Sequence, residues 1–212
     1  MFRTTAVTAV IALGFAAVFA SASAALEPAK GRFLVAERDL HDPNFRETVV
    51  LLTAYGEEGA MGVIVNWPTA APAAELVPQI EGLGERVDTI FVGGPVSRQV
   101  MLMLVRAEGE LPLAERIFAD VYLSSSLELL QQLVGRQVEA AGLRLYSGYA
   151  GWAPGQLDLE LAAGGWRVVP ADAELVFAVE PEDVWPELMR RGEVRWTRHA
   201  APLAAGPAVG GH

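Results

Sequence analysis

The sequence predicts a single α+β domain in which strands outnumber helices. Strand-like apolar runs follow one another through the first half of the chain, and the helical segments come at irregular intervals. A doubly wound sheet would alternate strands and helices regularly, so the α+β class fits this order better. No repeat or linker-like stretch interrupts the chain between residues 31 and 199, which indicates one domain.

The strand candidates are apolar and rich in β-branched residues. Thr48–Thr53 is nearly all apolar, as expected of a strand buried on both faces. The glycines of Gly56–Gly59 turn this strand into Ala60–Asn66 and predict a hairpin. The other predicted strands are Arg32–Glu37, before a loop at Leu40–Phe45, and then Thr89–Val92, Val100–Val105, Ile117–Leu123, Gly142–Tyr146, Trp166–Val169 and Glu174–Val179.

Helices are fewer, and their ends carry residues that favour helix termini: Ser, Pro or acids at the start and Gly at the end. Pro186 falls inside the last predicted helix and is expected to kink or restart it. The predicted helices are Ala73–Val77, a helix from the Ser125–Glu128 capping box to Gly135, Gln156–Ala163 after Pro154, and a helix from Pro181 to Gly192.

The N-terminal segment has the parts of a secretory signal peptide. Arg3 precedes an apolar run, and Ala22-Ser23-Ala24 offers a cleavage site before Ala25. The alternative is an uncleaved membrane anchor, but the run is rich in alanine, whereas a span needs about 20 strongly apolar residues. We predict a signal peptide at 1–24, one domain at 25–199 and a loosely ordered tail at 200–212, and expect a periplasmic or secreted protein.

Composition argues against several functions. Loss of Arg3 with the signal peptide would change the formal net charge from −10 to −11, which disfavours binding to nucleic acid or to an anionic membrane surface. The chain has no Cys, so it has no disulfide, thiol nucleophile or thiolate metal ligand. No nucleotide or metal-ligand spacing is present, and we therefore expect no cofactor.

Several segments resemble the AlgH/YqgE family. Gly31–Ala36, Asp42–Arg46 and Gly59–Asn66 match its opening, and Phe91–Val96 and Gly148–Leu157 match two later signatures. The resemblance runs in order from about residue 31 to residue 196. It implies an α+β fold with a mixed, mostly antiparallel, bifurcated sheet and a small closed barrel, surrounded by helices. It implies no catalytic mechanism, and a signal peptide is unusual in this family.

Three groups of residues are candidates for catalysis or metal binding. His41 and Asp42 form the only neighbouring base and carboxylate in a loop, although Asp42 before a proline is also an ordinary turn former. Ser124–Ser126 contains hydroxyl nucleophiles, but helix capping explains them equally well. A zinc site from His41, His199 and an acid matches no established spacing, so no metal site is predicted. A hydrolase-like enzyme acting through His41 and Asp42 is the alternative function.

Glycines lie beside aromatic residues at two places in the sequence, and together they indicate a candidate recognition surface. The alternative is that the glycines permit close packing and that Trp67 and Trp152 belong to the core. At Gly93-Gly94, anion binding by backbone N–H groups is one explanation and a tight turn is the other. The favoured function is a non-enzymatic binding or regulatory protein of the bacterial envelope, with an envelope protein, a peptide or a saccharide as its partner. The candidate surface consists of Asn66, Trp67, Gly93, Gly94, Tyr149, Trp152 and Gln156.

Overall fold

The computed structural model describes residues 26–85, 87, 89–137 and 142–199. The predicted signal peptide and the predicted tail lie outside these ranges. The described strands are β1 (Arg32–Ala36), β2 (Val49–Gly56), β3 (Gly59–Ile64), β4 (Pro68–Pro72), β5 (Thr89–Val92), β6 (Val96–Arg106), β7 (Glu115–Phe118), β8 (Val121–Ser124), β9 (Gly142–Trp152) and β10 (Trp166–Pro170). The described helices are α1 (Ala73–Leu76), α2 (Leu127–Val134), α3 (Gln156–Ala162), α4 (Ala173–Val176) and α5 (Val184–His199), with short 3-10 helices at Leu83–Glu85 and Pro181–Asp183.

The ten strands form one mostly antiparallel sheet. Its main path runs β10-β1-β2-β3-β9-β6-β8-β7, and β5 joins β9 as the parallel pair while β4 joins β5. The α+β class and the mostly antiparallel sheet are confirmed. Few helices accompany the sheet in the described ranges, and the expected enclosure by helices is not confirmed. None of the described helices combines the length and apolar character that crossing a membrane requires.

The strand pairing branches at β9. One edge of β9 pairs with β6, whereas the opposite edge pairs first with β5 and then, at Ala150–Trp152, with β3. Gly93 lies at the branch: its carbonyl accepts a hydrogen bond from Ile64 N, and its own N donates to Ser147 O, each at 2.9 Å. This branch point brings the ends of β3 and β5 together beside the middle of β9.

The sheet curls into a half-barrel rather than the closed barrel that the resemblance implied. The start of β1 approaches β7, where Lys30 forms an ion pair with Glu115. A Cβ atom on Gly31 would lie 3.0 Å from the Phe118 Cβ, and Gly31 has a φ of +76°, which glycine adopts without strain. The absence of a side chain at Gly31 therefore permits the start of β1 to approach β7 closely.

The core has three parts, two of which lie on opposite faces of β1 and β2. Phe33 and Leu51 face inward with Val184 and Trp185 of the C-terminal segment. Their neighbours in sequence point to the other face and pack with Trp152, Leu157 and Trp166. A third cluster packs β5, β6 and β9 against α1 and α2. The prediction of a strand buried on both faces at Thr48–Thr53 is thus confirmed.

Several local predictions were wrong. Glu174–Val179 is not a strand: residues 173–176 form α4, because the Asp172 carboxylate caps the helix by accepting a hydrogen bond from Glu174 N. Ile117–Leu123 is not one strand but is split between β7 and β8. The Pro-containing β4 was not predicted, because its proline content disfavours a strand except at an edge.

The ends of three helices also differ from expectation. Ser126 caps α2 by accepting a hydrogen bond from Leu129 N, so the predicted capping box is displaced by one residue. Pro154 precedes α3, and Gly155 occupies the capping position. Pro186 is the third residue of α5, where a backbone N–H has no intrahelical acceptor, so the proline does not interrupt the helix. Gly192 does not end α5, which continues to His199.

Candidate functional site

Asp42, Ser124 and Ser126 make local hydrogen bonds, and His41 is exposed. Asp42 accepts hydrogen bonds through Oδ1 from Asn44 N at 2.8 Å and from Asn44 Nδ2 at 3.0 Å, an arrangement typical of a turn. Ser124 donates to the Leu113 carbonyl, and Ser126 caps α2. No observation here favours the hydrolase alternative. Among the described residues, no cluster of three or more His, Cys, Asp or Glu side chains could hold a metal ion.

Asn66 has a structural role at the start of β2. Its side chain is buried, its Oδ1 accepts from Val49 N at 2.7 Å, and its Nδ2 donates to the Glu47 carbonyl at 2.9 Å. Both polar groups of the amide are therefore used within the fold. Trp67, the next residue, is 38% exposed.

Gly93 and Gly94 lie against β9. A Cβ atom on Gly93 would lie 2.3 Å from the Gly148 carbonyl oxygen, and one on Gly94 would lie 2.2 Å from the Tyr149 carbonyl carbon. No side chain fits at either position. Close packing of two backbone segments at the sheet branch therefore accounts for the Gly-Gly pair. Tyr149 is half-buried and packs against the core cluster that contains Phe91 and Tyr146.

Trp152 and Gln156 belong to a separate region around α3. Trp152 is only 5% exposed, stacks on Phe45 with ring centroids 5.9 Å apart, and meets Trp166 edge-on at 6.0 Å. Gln156 is exposed, and its side chain accepts from Ala153 N at 3.1 Å and donates to Glu160 at 3.0 Å. The structure thus separates the candidate surface into a branch-point group and an α3 group.

A cleft of about 350 Å³ opens beside the branch point. Its size falls within the range of small-molecule sites in proteins, about 300–1,000 Å³. Val179, on the segment after α4, is 90% exposed at its rim. Neither this cleft nor the second one described below is lined by His41, Asp42, Asn66 or Trp152. The lining residues are Pro68, Val87, Thr89, Phe91, Leu143, Arg144, Val179, Glu180, Pro181 and Glu182.

Arg144 is the one cation among the lining residues, and its guanidinium is held by backbone and by an aromatic face. Nη1 donates to the Val176 carbonyl at 2.7 Å and to the Val65 carbonyl at 3.4 Å, and Nη2 donates to the Ala178 carbonyl. The guanidinium carbon lies 4.5 Å from the centre of the Phe91 ring, a cation–π distance. No ion pair joins Arg144 to a described carboxylate.

Burial sets the electrostatics of this site. Desolvation lowers the pKa of Arg144, and the nearby Tyr146 and Glu182 act in the opposite direction. Tyr146 lies two residues further along β9 and hence on the same face. Its hydroxyl is fully buried, and no described group is in hydrogen-bonding geometry with it. Burial raises the pKa of Tyr146, and the neighbouring Arg144 guanidinium opposes this shift through its charge and its polar N–H groups.

A second cleft, of about 440 Å³, lies between the 110–114 loop and the hairpin of β7 and β8. Arg116 is its cation, but this guanidinium already donates to the Gly109 carbonyl at 3.1 Å and to the Tyr122 hydroxyl. The guanidinium carbon of Arg116 also lies 5.1 Å from the centre of the Tyr122 ring. The exposure of Arg116 makes this cleft a weaker candidate than the one beside Arg144.

Sequence reasoning missed Arg144 and the segment Val179–Glu182. A signal for Arg144 was available, because it is the lone charge in β9 and lies between Leu143 and Leu145. Such a charge is normally paired or hydrogen-bonded inside a fold. No local signal indicated that residues 179–182 would face it, because the two segments are more than thirty residues apart.

The fold and this cleft define a sheet-dominated α+β protein with a branched, curled sheet and a partly buried arginine at the branch. The chain belongs to the AlgH-like family, whose model matches residues 33–197. The biochemical activity of this family is not known. A UPF0301 protein of Streptomyces coelicolor is 39% identical over 166 residues, which cover 76% of this chain and 85% of the relative. A UPF0301 protein of Chlorobaculum tepidum is 33% identical over 161 residues, covering 76% and 84%.

Two solved structures share the fold. The solution structure of the AlgH protein from Pseudomonas aeruginosa has a TM-score of 0.67 and 29% identity, covering 84% of this chain and 95% of that one. The crystal structure of a protein from Corynebacterium diphtheriae also has a TM-score of 0.67, with 28% identity over 79% of this chain and 88% of that one. Both comparisons cover most of each chain, so the likeness extends over the whole domain.

Proposed function

We propose that this protein is a non-enzymatic binding or regulatory protein of the bacterial envelope and that it binds its partner in the cleft beside Arg144. The observation that carries the proposal is a partly buried guanidinium with no carboxylate partner at an open cleft. A cation removed from water is stabilised by an opposing charge or by hydrogen bonds; three carbonyls and one ring contact Arg144, and Glu182 acts on it without forming an ion pair. A ligand at the cleft would supply a directly bound opposing charge.

The rim of the cleft also favours binding. Val179 is 90% exposed, and Trp67, which precedes the lining residue Pro68, is 38% exposed. Exposed apolar groups around a polar centre are typical of recognition sites. The envelope location rests on the signal-like segment at residues 1–24. The partners proposed are an envelope protein, a peptide or a saccharide.

Capture from envelope extracts tests this function. The purified protein, a Val179→Asp variant and a Leu159→Asp variant are immobilised, and the bound material is identified by mass spectrometry. Leu159 is 74% exposed on α3, outside the cleft, so Leu159→Asp adds the same charge at a similarly exposed apolar site. We expect a partner that the unaltered protein and Leu159→Asp retain and that Val179→Asp loses. Retention that is identical in all three would contradict binding at this cleft.

A further inference from the structure

Resting on the proposed function, we propose that the group recognised in the cleft is a singly charged carboxylate attached to a compact group of amino-acid size. The proposal commits to the chemistry of the ligand. Two sources share this chemistry: the C-terminal end of a peptide and an acidic sugar.

The hydrogen bonds of Arg144 leave two donors free. A guanidinium has five N–H groups. Nη1 donates to the Val65 and Val176 carbonyls, and Nη2 donates to the Ala178 carbonyl. Nε and the remaining Nη2–H donate to no described acceptor, because the neighbouring Tyr146 hydroxyl interacts electrostatically with the guanidinium but is not in hydrogen-bonding geometry. Two N–H groups of one guanidinium can bind the two oxygens of a carboxylate.

The orientation of Arg144 is fixed before a ligand arrives. Three backbone carbonyls from distant segments and the face of Phe91 hold the guanidinium plane. A donor pair held in place loses less conformational entropy on binding than a mobile surface arginine would. The site is thus pre-organised for a planar acceptor.

The remainder of the cleft is suited to an apolar group. Pro68, Val179 and Pro181 lie around it, and Phe91 and Leu143 contribute further apolar surface. A volume of about 350 Å³ accommodates a ligand of amino-acid size. A carboxylate with an attached aliphatic or sugar group of this size would use both parts of the site.

The acidic rim residues favour one negative charge over two. Glu180 and Glu182 line the same cleft, and Glu182 is close enough to interact electrostatically with Arg144. One guanidinium and two carboxylates give the lining a net charge of −1 (+1 − 2), which opposes the second charge of a phosphate more than the single charge of a carboxylate. The same repulsion predicts that Glu182→Gln tightens the binding of an anion.

The test compares two ligands that differ only in the terminal group, which is a charged carboxylate in one and a neutral carboxamide in the other. Purified protein is titrated with N-acetyl-leucine and with its neutral amide, N-acetyl-leucinamide, and binding is followed by heteronuclear NMR. We expect the acid to bind at least about tenfold more tightly, because a hydrogen bond to a charged group is worth about 1.5–3 kcal/mol. Glucuronate and inorganic phosphate are titrated in parallel. A preference for N-acetyl-leucine indicates a peptide end and a preference for glucuronate a sugar, and phosphate should bind more weakly than either.

Variants locate the binding. Arg144→Gln should abolish the difference between acid and amide. Because Arg144 also joins three segments, Val179→Asp provides a test that leaves its contacts intact, and it should weaken N-acetyl-leucine binding several-fold. Glu182→Gln should strengthen it, and Leu159→Asp should leave it unchanged. Circular dichroism of each variant checks that the fold is retained.

Several results would overturn the proposal. Equal affinity for the acid and the amide, tighter binding of phosphate, or no binding of either carboxylate would each remove the assignment of a carboxylate ligand. Acid binding that Val179→Asp and Arg144→Gln leave unchanged would place the site elsewhere. These outcomes are separate from the capture experiment: a partner lost only in Val179→Asp would preserve the binding function while the carboxylate assignment fails.

Discussion

The Trp152 indole donates a hydrogen bond from Nε1 to Glu160 Oε2 at 2.9 Å, and Trp166 donates to the same oxygen at 2.8 Å. This single carboxylate joins the end of β9, the start of β10 and α3. Phe45 packs against both indoles, with ring centroids 5.9 and 5.5 Å away. The Trp152–Leu157 part of the Gly148–Leu157 signature is therefore a packing unit around Trp152, and the open cleft lies elsewhere on the sheet.

Replacement of Trp152 by alanine should destabilise the fold. Trp152 is 5% exposed, and emptying a large aromatic site in a core costs about 3–5 kcal/mol. Trp67→Ala is the matched control, because Trp67 is 38% exposed and its loss should cost clearly less than the loss of Trp152. The free energies of unfolding come from denaturant titration of both variants. Similar midpoints for Trp152→Ala and the unaltered protein would contradict the packing role.

Replacement of Tyr146 by phenylalanine should stabilise the protein slightly at neutral pH. The hydroxyl of Tyr146 is buried without a partner, and such a group costs about 1–3 kcal/mol. Removal of this hydroxyl leaves the ring in place. Chemical unfolding of the variant at pH 7 should therefore give a free energy equal to or above that of the unaltered protein. A loss of more than about 1 kcal/mol would mean that the hydroxyl has a partner in solution, such as ordered water.

The same variant tests a dependence on alkaline pH. Burial raises the pKa of Tyr146 in the folded state above the usual tyrosine value of about 10. The stability that protonated Tyr146 contributes is thus complete below about pH 10 and is lost as pH rises towards the folded pKa. The difference in unfolding free energy between Tyr146→Phe and the unaltered protein should grow by about 1.4 kcal/mol per pH unit above pH 10. Parallel curves at pH 8 and pH 11 would contradict this.

Alanine at Gly94 should disrupt the sheet branch. Its Cβ would lie 2.2 Å from the Tyr149 carbonyl carbon and 2.3 Å from Ala150 N, and backbone atoms cannot rotate away as a flexible side chain can. We expect a loss of about 3 kcal/mol, the upper part of the usual range for overpacking. Gly56→Ala is the control, since no atom lies within 4 Å of its added Cβ. Equal melting temperatures for the two variants would show that the branch tolerates a side chain.

Removal of metal should leave stability unchanged. No described cluster of side chains could hold an ion, and a metal bound only to the folded state would raise its stability. Thermal unfolding curves with and without a chelator should therefore coincide. A melting temperature lower by several degrees in the chelator would show that a metal site had been missed.

Export should be visible at the N-terminus of the mature protein. The signal-like segment ends at Ala22-Ser23-Ala24. We expect N-terminal sequencing of the protein made in its host to begin at Ala25 or within a few residues of it. An intact Met1 on protein recovered from the cytoplasm would exclude the envelope location and leave the cleft proposal unaffected.

Local patterns in the sequence were sufficient for most elements of the fold. The hairpin of β2 and β3 follows from two β-branched runs around a glycine-flanked turn, and Gly135 ends α2 as predicted. The wrong secondary-structure predictions concern segments whose local sequence is compatible with two structures. Glu174–Val179 has the composition of a strand, but the capping contact of Asp172 with Glu174 N favours a helix. Pro186 would break a helix interior, but the helix begins only two residues earlier.

By itself, the sequence determined the α+β class, the resemblance to the family and the burial of Thr48–Thr53 on both faces, because periodicity and turn residues act over a few positions. Only the tertiary structure decided which aromatic residues are core and which are exposed: Trp152 is buried beneath α3, and Trp67 lies beside a cleft. Only the tertiary structure also revealed the role of Arg144, whose guanidinium donates hydrogen bonds to the backbone carbonyls of Val65, Val176 and Ala178. Such a site depends on segments up to 113 residues apart, as the numbers of Val65 and Ala178 show, and no local pattern encodes a contact over that separation.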